Sequence, residues 1–235
     1  MKNLLLLFLP LGLFAQESTH LKPIQKYNLI IPEPSDICIS PDQKTIYIVS
    51  DDGGLFECNT EGKVLRKYTK DLIDVEGVYC DDQFVWIVEE RTRLIKKFDR
   101  LNLQLVSSVY VPYEGGRNKC FESITQDKNG NWIMITERDP VWMIRFNQDF
   151  KEISRIKIPT NSDISAATRF QNKLYVLSDE SAEIWEIDET NGTILFKFKI
   201  PVLNPEGLAF ADNGNIYVLS DDGHQLFVFN FNSKK

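Results

Sequence analysis

Histidine is nearly absent from this 235-residue chain, which contains only His20 and His224. This scarcity argues against a histidine-rich zinc or copper centre. An excess of basic residues is also missing, because the formal net charge is −7. A negative protein is a poor partner for a nucleic-acid backbone or an anionic membrane surface, so neither is expected as a ligand. The same charge is compatible with binding cations.

Several catalytic motifs are missing as well. The chain has no Gly-x-Ser-x-Gly element, no glycine-rich phosphate loop and no nucleic-acid module. His224 follows Asp221-Asp222-Gly223 and is the one candidate general base, although a lone histidine in a turn is more often simply solvated. The four cysteines have no metal-binding spacing and are expected to be buried thiols. They are Cys38, Cys58, Cys80 and Cys120.

The only long apolar run lies at the N-terminus. Lys2 provides a positive start, Leu4 to Phe14 form the run, and Ala15 is a small residue suited to cleavage. A run of this length is too short to span a bilayer, which needs about 20 residues. We therefore predict a signal peptide at residues 1–15 and a single mature domain at 16–235. The mature protein would be exported to the periplasm or the cell surface, either free or membrane-associated.

Acidic tripeptides recur along the chain with steps of 43, 46, 41 and 43 residues between their acids. They are Glu33-Pro34-Ser35, Glu76-Gly77-Val78, Glu122-Ser123-Ile124, Asp163-Ile164-Ser165 and Glu206-Gly207-Leu208. A period in the low forties with several short strands per repeat is typical of a β-propeller. The pattern therefore predicts a carboxylate at the same point of every blade.

Each repeat contains an inner strand, a turn rich in Asp, Asn and Gly, and then an apolar strand such as "TIYIVSD" or "NIYVLSD". Such continuous apolar runs are typical of strands buried on both faces. The last repeat lacks a fourth strand, and the segment from Ile24 to Ser35 resembles the missing one. We predict an all-β, five-bladed propeller whose N-terminal strand completes the last blade. A β-sandwich would need neither the period nor this wrapped strand.

A second set of acids ends the apolar strands, 14 to 18 residues after the first set. They are Asp51, Glu90, Glu137, Asp179 and Asp221. Because antiparallel neighbours reverse direction, both sets should lie on one face, near the mouth of the central channel. Converging carboxylates repel one another, and a hard cation such as Ca²⁺ would offset that cost. The predicted metal ligands are Glu33, Glu76, Glu122, Asp163 and Glu206; the alternative is that these acids cap backbone amides between blades.

The third repeat departs most from the symmetry. Lys119, Glu122, Glu137, Arg138 and Asp139 cluster there. Beside a metal, Lys119 and Arg138 could hold a small anionic group, with Glu122 or Glu137 as base. These four are the catalytic candidates. The simpler interpretation is a set of partly exposed ion pairs with little energetic consequence.

Between Tyr27 and Phe231 the chain contains an ordered set of segments: "EPSDI", "DVEGV" with "VEER", "NKCFESI" with "TERDP", "LYVLSDES" and "PEGLAF". In this set the chain resembles the SdiA-regulated proteins, an exported bacterial family. The resemblance implies a β-propeller at the cell envelope. The chain departs from the family at Cys120 and Ser123, where glycines are usual, and at Asp163, where Glu would match the other repeats. Phytase-like, gluconolactonase-like and paraoxonase-like propellers are a weaker, fold-level analogy, and they bind Ca²⁺ and hydrolyse esters or lactones.

Three functions remain open from the sequence. The first is an envelope propeller with a Ca²⁺-dependent face that binds a ligand. The second is a Ca²⁺-dependent hydrolase of phosphoesters or lactones. The third is a metal-free scaffold that binds an envelope protein through the same face.

Overall fold

The computed structural model describes residues 19–116 and 119–231. Every regular element in these ranges is a β-strand, and the strands form five sheets arranged as the blades of a propeller. The predicted five-bladed fold is therefore confirmed. The predicted signal peptide lies outside the described residues and stays a prediction.

The strands follow the repeats of the sequence. First in the chain come β1 (Thr19–His20) and β2 (Pro23–Asn28). The first blade contains β3 (Pro34–Ile39), β4 (Thr45–Ser50), β5 (Gly54–Asn59) and β6 (Val64–Tyr68). The second contains β7 (Val75–Cys80), β8 (Phe84–Glu89), β9 (Leu94–Asp99) and β10 (Leu105–Tyr110).

The remaining blades repeat the same order. The third contains β11 (Phe121–Gln126), β12 (Trp132–Thr136), β13 (Trp142–Phe146) and β14 (Glu152–Lys157). The fourth contains β15 (Ala166–Phe170), β16 (Lys173–Ser178), β17 (Glu183–Ile187) and β18 (Ile194–Lys199). The fifth contains β19 (Pro205–Phe210), β20 (Asn215–Ser220) and β21 (Gln225–Asn230).

The N-terminal segment closes the ring, as predicted. Strand β2 pairs antiparallel with β21, with Tyr27 opposite Leu226, and supplies the fourth strand of the fifth blade. The two-residue strand β1, which the sequence did not predict, pairs in parallel with β18 at the outer edge of the fourth blade. The N-terminus thus covers a sheet edge that would otherwise be free to pair with another chain.

The core consists of five clusters of buried side chains, one between each pair of adjacent blades, the fifth and the first included. The second strand of each blade has neighbours on both faces, which explains its continuous apolar sequence. Trp132 on β12 and Tyr47 on β4, for example, are 2% and 1% exposed. No helix within the described ranges is long and apolar enough to cross a membrane.

The inner strands β3, β7, β11, β15 and β19 surround the channel and approach one another closely near their starts. A Cβ atom at Gly77 would lie 3.0 Å from the Cα of Ser123, and one at Gly207 would lie 3.0 Å from the Cα of Asp36. Real Cβ contacts are seldom this short, so a side chain at either glycine would push neighbouring inner strands apart. The glycine that follows Glu76 and Glu206 is therefore a packing requirement of the channel wall.

Candidate functional site

The channel opens, where the inner strands begin, into a cavity of about 290 Å³ that we call the acidic mouth. Among the described residues, eleven carboxyl side chains line it, and Arg91 is the one cationic side chain. The acids are Glu33, Asp51, Asp74, Glu76, Glu90, Glu122, Glu137, Asp163, Asp179, Glu206 and Asp221. The structure thus brings together all ten acids predicted from the repeats and adds Asp74.

The five acids of the repeated tripeptides do not occupy structurally equivalent positions in their blades. Register shifts in the pairing with the second strand set Glu76, Glu122 and Glu206 out of the ladder, as β-bulges do. In the first blade Ser35 has this position, and in the fourth blade Ser165 has it. The prediction of one equivalent carboxylate per blade was therefore wrong for Glu33 and Asp163, which lie two residues earlier.

Backbone hydrogen bonds establish this alignment. The amide of Asp51 donates to the Glu33 carbonyl at 3.0 Å, and the amide of Glu90 donates to the Asp74 carbonyl at 2.9 Å. Equivalent bonds join Glu137 to Cys120 and Asp221 to Asn204.

Sequence reasoning missed Asp74, although the repeat pattern contained a signal for it. Aligning the repeats on Pro34, Val75, Phe121, Ile164 and Pro205 gives steps of 41, 46, 43 and 41 residues and places Asp74 opposite Glu33.

One group of three acids spans the second and third blades. Carboxylate oxygens of Glu90, Glu122 and Glu137 lie within 4.8 Å of one another. Burial, followed by the charges of neighbouring acids, raises the pKa of Glu122 well above its usual value. Burial is also the main cause that raises the pKa of Glu90 to about 7, although its Oε1 accepts the Cys120 amide at 2.6 Å. Glu122 thus releases its proton less readily than a solvated glutamate would.

A second group of three contains Asp51, Asp74 and Glu76, again with carboxylate oxygens within 4.8 Å of one another. Arg91 covers this group. Its guanidinium lies 3.1 Å from Asp74 Oδ1, and its backbone amide donates to Asp74 Oδ2 at 2.9 Å. Burial, followed by the charges of Asp51 and Asp74, raises the pKa of Glu76 well above its usual value. Arg91 therefore already serves part of this group as a counter-ion.

The other side of the mouth carries more weakly grouped acids. Burial, with added repulsion from Asp179, raises the pKa of Glu206 to about 9. Burial and the charge of Glu33 raise the pKa of Asp221 to about 6. Glu33 and Glu206, two of the predicted metal ligands, are not part of either group of three. They add carboxyl groups to the same cavity.

The cations of the third repeat are paired with acids. Arg138 lies 2.7 Å from Asp163, 3.2 Å from Glu137 and 3.8 Å from Glu180. Lys119 lies 2.5 Å from Asp139, and neither residue lines the acidic mouth. The four catalytic candidates are thus divided: Glu122 and Glu137 meet in the cavity, whereas Lys119 and Arg138 form ion pairs at its rim.

His224 is similarly displaced from the centre. Its Nδ1 lies 3.2 Å from the Ile31 carbonyl, and the ring is not part of the lining. The lining also contains no thiol. The reactive groups of the acidic mouth are therefore mainly carboxyl groups. Ionised carboxylates can ligate a hard cation, and protonated ones can donate a proton.

The family model described as SdiA-regulated matches residues 16–230 of the chain, which confirms the resemblance noted in the sequence. No curated protein sequence is significantly similar to it.

Similar solved structures share the fold. Glutaminyl cyclase from Myxococcus xanthus has a TM-score of 0.73 and 14% identity, over 91% of this chain and 98% of that one. Virginiamycin B lyase from Staphylococcus aureus has a TM-score of 0.52 and 19% identity, over 88% and 73%. A Bacteroides caccae protein of unknown function has a TM-score of 0.53 and 16% identity, over 78% and 67%. At these identities the likeness concerns architecture alone.

Proposed function

We propose that this chain, which belongs to the SdiA-regulated family, binds Ca²⁺ at the acidic mouth and uses the metal-loaded mouth to hold a ligand. The observation that carries the proposal is the group formed by Glu90, Glu122 and Glu137, whose oxygens lie within 4.8 Å of one another. Oxygens that share a Ca²⁺ ion each lie about 2.3–2.6 Å from it, so they are at most about 5 Å apart. The spacing fits a single ion.

The donor type supports a hard cation. Three carboxylates offer up to six oxygens, and Ca²⁺ accepts about six to eight in loose geometry. Zinc and copper sites usually use histidine or cysteine, and neither lines this mouth. A bound divalent ion would also offset the mutual repulsion that raises the pKa values of these acids.

Of the two groups, the one containing Glu122 is the better primary site. In the other group Arg91 engages both carboxylate oxygens of Asp74, whereas in this group Arg138 approaches only one oxygen of Glu137, at 3.2 Å. Among the other predicted ligands, Asp163 is bound by Arg138, while Glu33, Glu76 and Glu206 remain in the lining. They would increase the attraction for a cation without sharing the first ion.

The ligand would be small and anionic. A Ca²⁺ ion held by three carboxylates keeps coordination positions for a ligand oxygen, and a cavity of about 290 Å³ admits only a small group. Without the ion, a mouth lined in the described ranges by eleven acids and one arginine would repel an anion. Metal binding is thus a precondition for this proposed activity.

The hydrolase is our second candidate. It is favoured by Glu90, whose pKa of about 7 suits a general base or acid at neutral pH. Against it, Lys119 and Arg138 already pair with acids, so little cationic surface remains for an anionic substrate. The glutaminyl cyclase and the virginiamycin B lyase are enzymes by name, but at 14% and 19% identity they lend no residue roles to this chain.

The site of action would be the cell envelope. This part of the proposal rests on the predicted signal at residues 1–15, and the measurement is N-terminal sequencing of the protein recovered from the periplasmic or surface fraction. Recovery of the full-length chain from the cytoplasm alone would contradict export.

The first experiment is thermal unfolding and calorimetric titration of the EDTA-treated protein with Ca²⁺, Mg²⁺ and Zn²⁺. We expect selective stabilisation by Ca²⁺, about 2.7 kcal/mol at 100 times the dissociation constant. Glu122→Gln removes one charged ligand and should weaken Ca²⁺ binding at least about tenfold.

The matched control is Glu61→Gln, the same chemical change at an exposed turn residue of the first blade. It should leave Ca²⁺ affinity unchanged. Equal affinities of wild type and Glu122→Gln would refute the proposed ligands. No response to any cation would instead favour the metal-free scaffold. Ca²⁺-dependent turnover across a panel of phosphoesters, lactones and aryl esters would move the hydrolase to first place.

A further inference from the structure

A second cavity of about 330 Å³ lies at the opposite end of the channel, which we call the far mouth. Residues from the later parts of all five inner strands line it, and none of the eleven acids of the acidic mouth is among them. Cys38 of β3 and Cys80 of β7 are both part of this lining. They belong to adjacent inner strands of the first and second blades.

The two thiols are near neighbours. The Cys80 thiol donates a hydrogen bond to the carbonyl of Ile39, the residue after Cys38, at 3.2 Å. Cys80 also belongs to the core cluster of the first and second blades against which Cys38 packs. Strands β3 and β7 pack side by side, which brings the two cysteines together across the blade interface.

The pair lines a cavity and is less deeply buried than the other two cysteines. Cys38 is partly exposed and Cys80 is 7% exposed, whereas Cys58 and Cys120 are 0% exposed. Cys58 lies in the core between the fifth and first blades, and Cys120 lies in the core between the second and third. Neither has a thiol partner in its core cluster.

We propose that Cys38 and Cys80 are a redox-active pair that forms a disulfide linking the first and second blades at the far mouth. The oxidant would be a small-molecule disulfide that enters this cavity. The Cys38 thiolate attacks one sulfur of the oxidant and releases a first thiol. Cys80 then loses its proton, attacks Cys38 in the mixed disulfide and releases a second thiol. Two protein thiols are oxidised and one disulfide is reduced to two thiols, so the electrons balance.

The environment of the pair determines its rate. Burial, reinforced by the neighbouring Cys80, raises the pKa of the Cys38 thiol well above its usual value. Because the thiolate is the attacking form, the reaction should be slow at pH 7 and faster at higher pH. The predicted export signal would send the chain to a compartment in which disulfides persist.

The test is oxidation of the native, full-length chain with oxidised glutathione at about pH 8. The sample is then quenched in acid, unfolded, treated with N-ethylmaleimide and mapped by mass spectrometry. Before alkylation the oxidised chain should be about 2 Da lighter than the reduced chain. After alkylation it should carry two modified cysteines instead of four and yield a peptide in which Cys38 is joined to Cys80. Closing this loop of some forty residues should raise Tm by about 5–10 °C.

Two variants complete the design. A Cys58→Ser/Cys120→Ser double variant should still form the bond, whereas Cys80→Ser should retain glutathione on Cys38 because the resolving thiol is missing. The wild-type peptide map decides the question even if a variant fails to fold. Four alkylated cysteines in oxidised wild type, a persistent glutathione adduct there, or a cross-link at any other pair would overturn the proposal.

Discussion

At the scale of single residues, charge and burial compete at the acidic mouth. Side chains such as Glu76, Glu122 and Glu206 remain partly accessible from the channel, yet protein surrounds them and other acids face them. Burial is the first cause of the raised pKa at each of these three residues. In the absence of metal the mouth therefore keeps protons that ordinary surface glutamates would release at neutral pH.

Glu206 provides the clearest pH prediction. Its folded-state pKa of about 9 is above its unfolded value, so the folded chain holds a proton that the unfolded chain releases. The stability contribution of this proton is complete below about pH 4 and is lost as the pH rises towards 9. We expect Glu206→Gln to match wild type in Tm near pH 4 and to exceed it at pH 8.5, measured in EDTA.

The comparison needs the same substitution elsewhere, and Glu61→Gln provides it at an exposed site. This control should follow wild type at both pH values. A Tm of Glu206→Gln at or below that of wild type at pH 8.5 would mean that Glu206 is ionised and well solvated in the folded state.

At the scale of elements, one position near the start of each inner strand has two uses. Its residues are Ser35, Glu76, Glu122, Ser165 and Glu206. Where it is serine, it fastens blades together: Ser35 Oγ donates to the Val75 carbonyl, and Ser165 Oγ donates to the Pro205 carbonyl at 3.0 Å. Each acceptor is the first residue of the next blade's inner strand. Where the position is glutamate, as at Glu122, it places a carboxyl group in the acidic mouth.

Ser165→Ala tests the structural use. The substitution removes a buried donor and should cost about 1 kcal/mol, which lowers Tm by about 2–4 °C in a chain of this size. Ca²⁺ affinity should not change, because Ser165 is outside both groups of three acids. Ser107→Ala on the exposed strand β10 is the control and should be near neutral. Equal Tm values for the two variants would show that the Ser165 bond does not stabilise the fold.

At the scale of the whole molecule, closure of the ring decides stability. The hydrophobic core is divided among five blade interfaces, so none of the clusters is large enough to stand alone, and each blade depends on two neighbours. Strand β2 provides the covalent link for closure, because it belongs to the fifth blade and leads directly into the first. The two channel mouths exist only in the closed ring.

Truncation separates the roles of β1 and β2. A chain that begins at residue 21 lacks β1 but keeps Leu21, which is 5% exposed, and should unfold cooperatively within a few degrees of wild type. A chain that begins at residue 29 lacks β2 and exposes the edge of β21, so it should aggregate or lose its cooperative transition. Circular dichroism melts and size-exclusion chromatography measure both. A folded monomer that begins at residue 29 would refute closure by β2.

Periodicity by itself determined the architecture of this protein. Apolar strands and turn residues recurring every forty-odd positions are local signals, and so is the resemblance of the segment around Tyr27 to the fourth strands. Together they predicted five blades, closure by the N-terminus and an acidic face. These features follow from short-range chain geometry, so they could be deduced without coordinates.

Only the tertiary structure decided which acids meet. The strand pairing places Ser35 and Ser165, rather than Glu33 and Asp163, at the position of Glu122. It also brings Asp74 into the mouth. Lys119 pairs with Asp139 and Arg138 pairs with Asp163, so neither cation lines the cavity. The proximity of Cys38 to Cys80 likewise arises between blades. Such contacts depend on angles and distances between distant segments, and a one-residue shift changes them without disturbing the repeat.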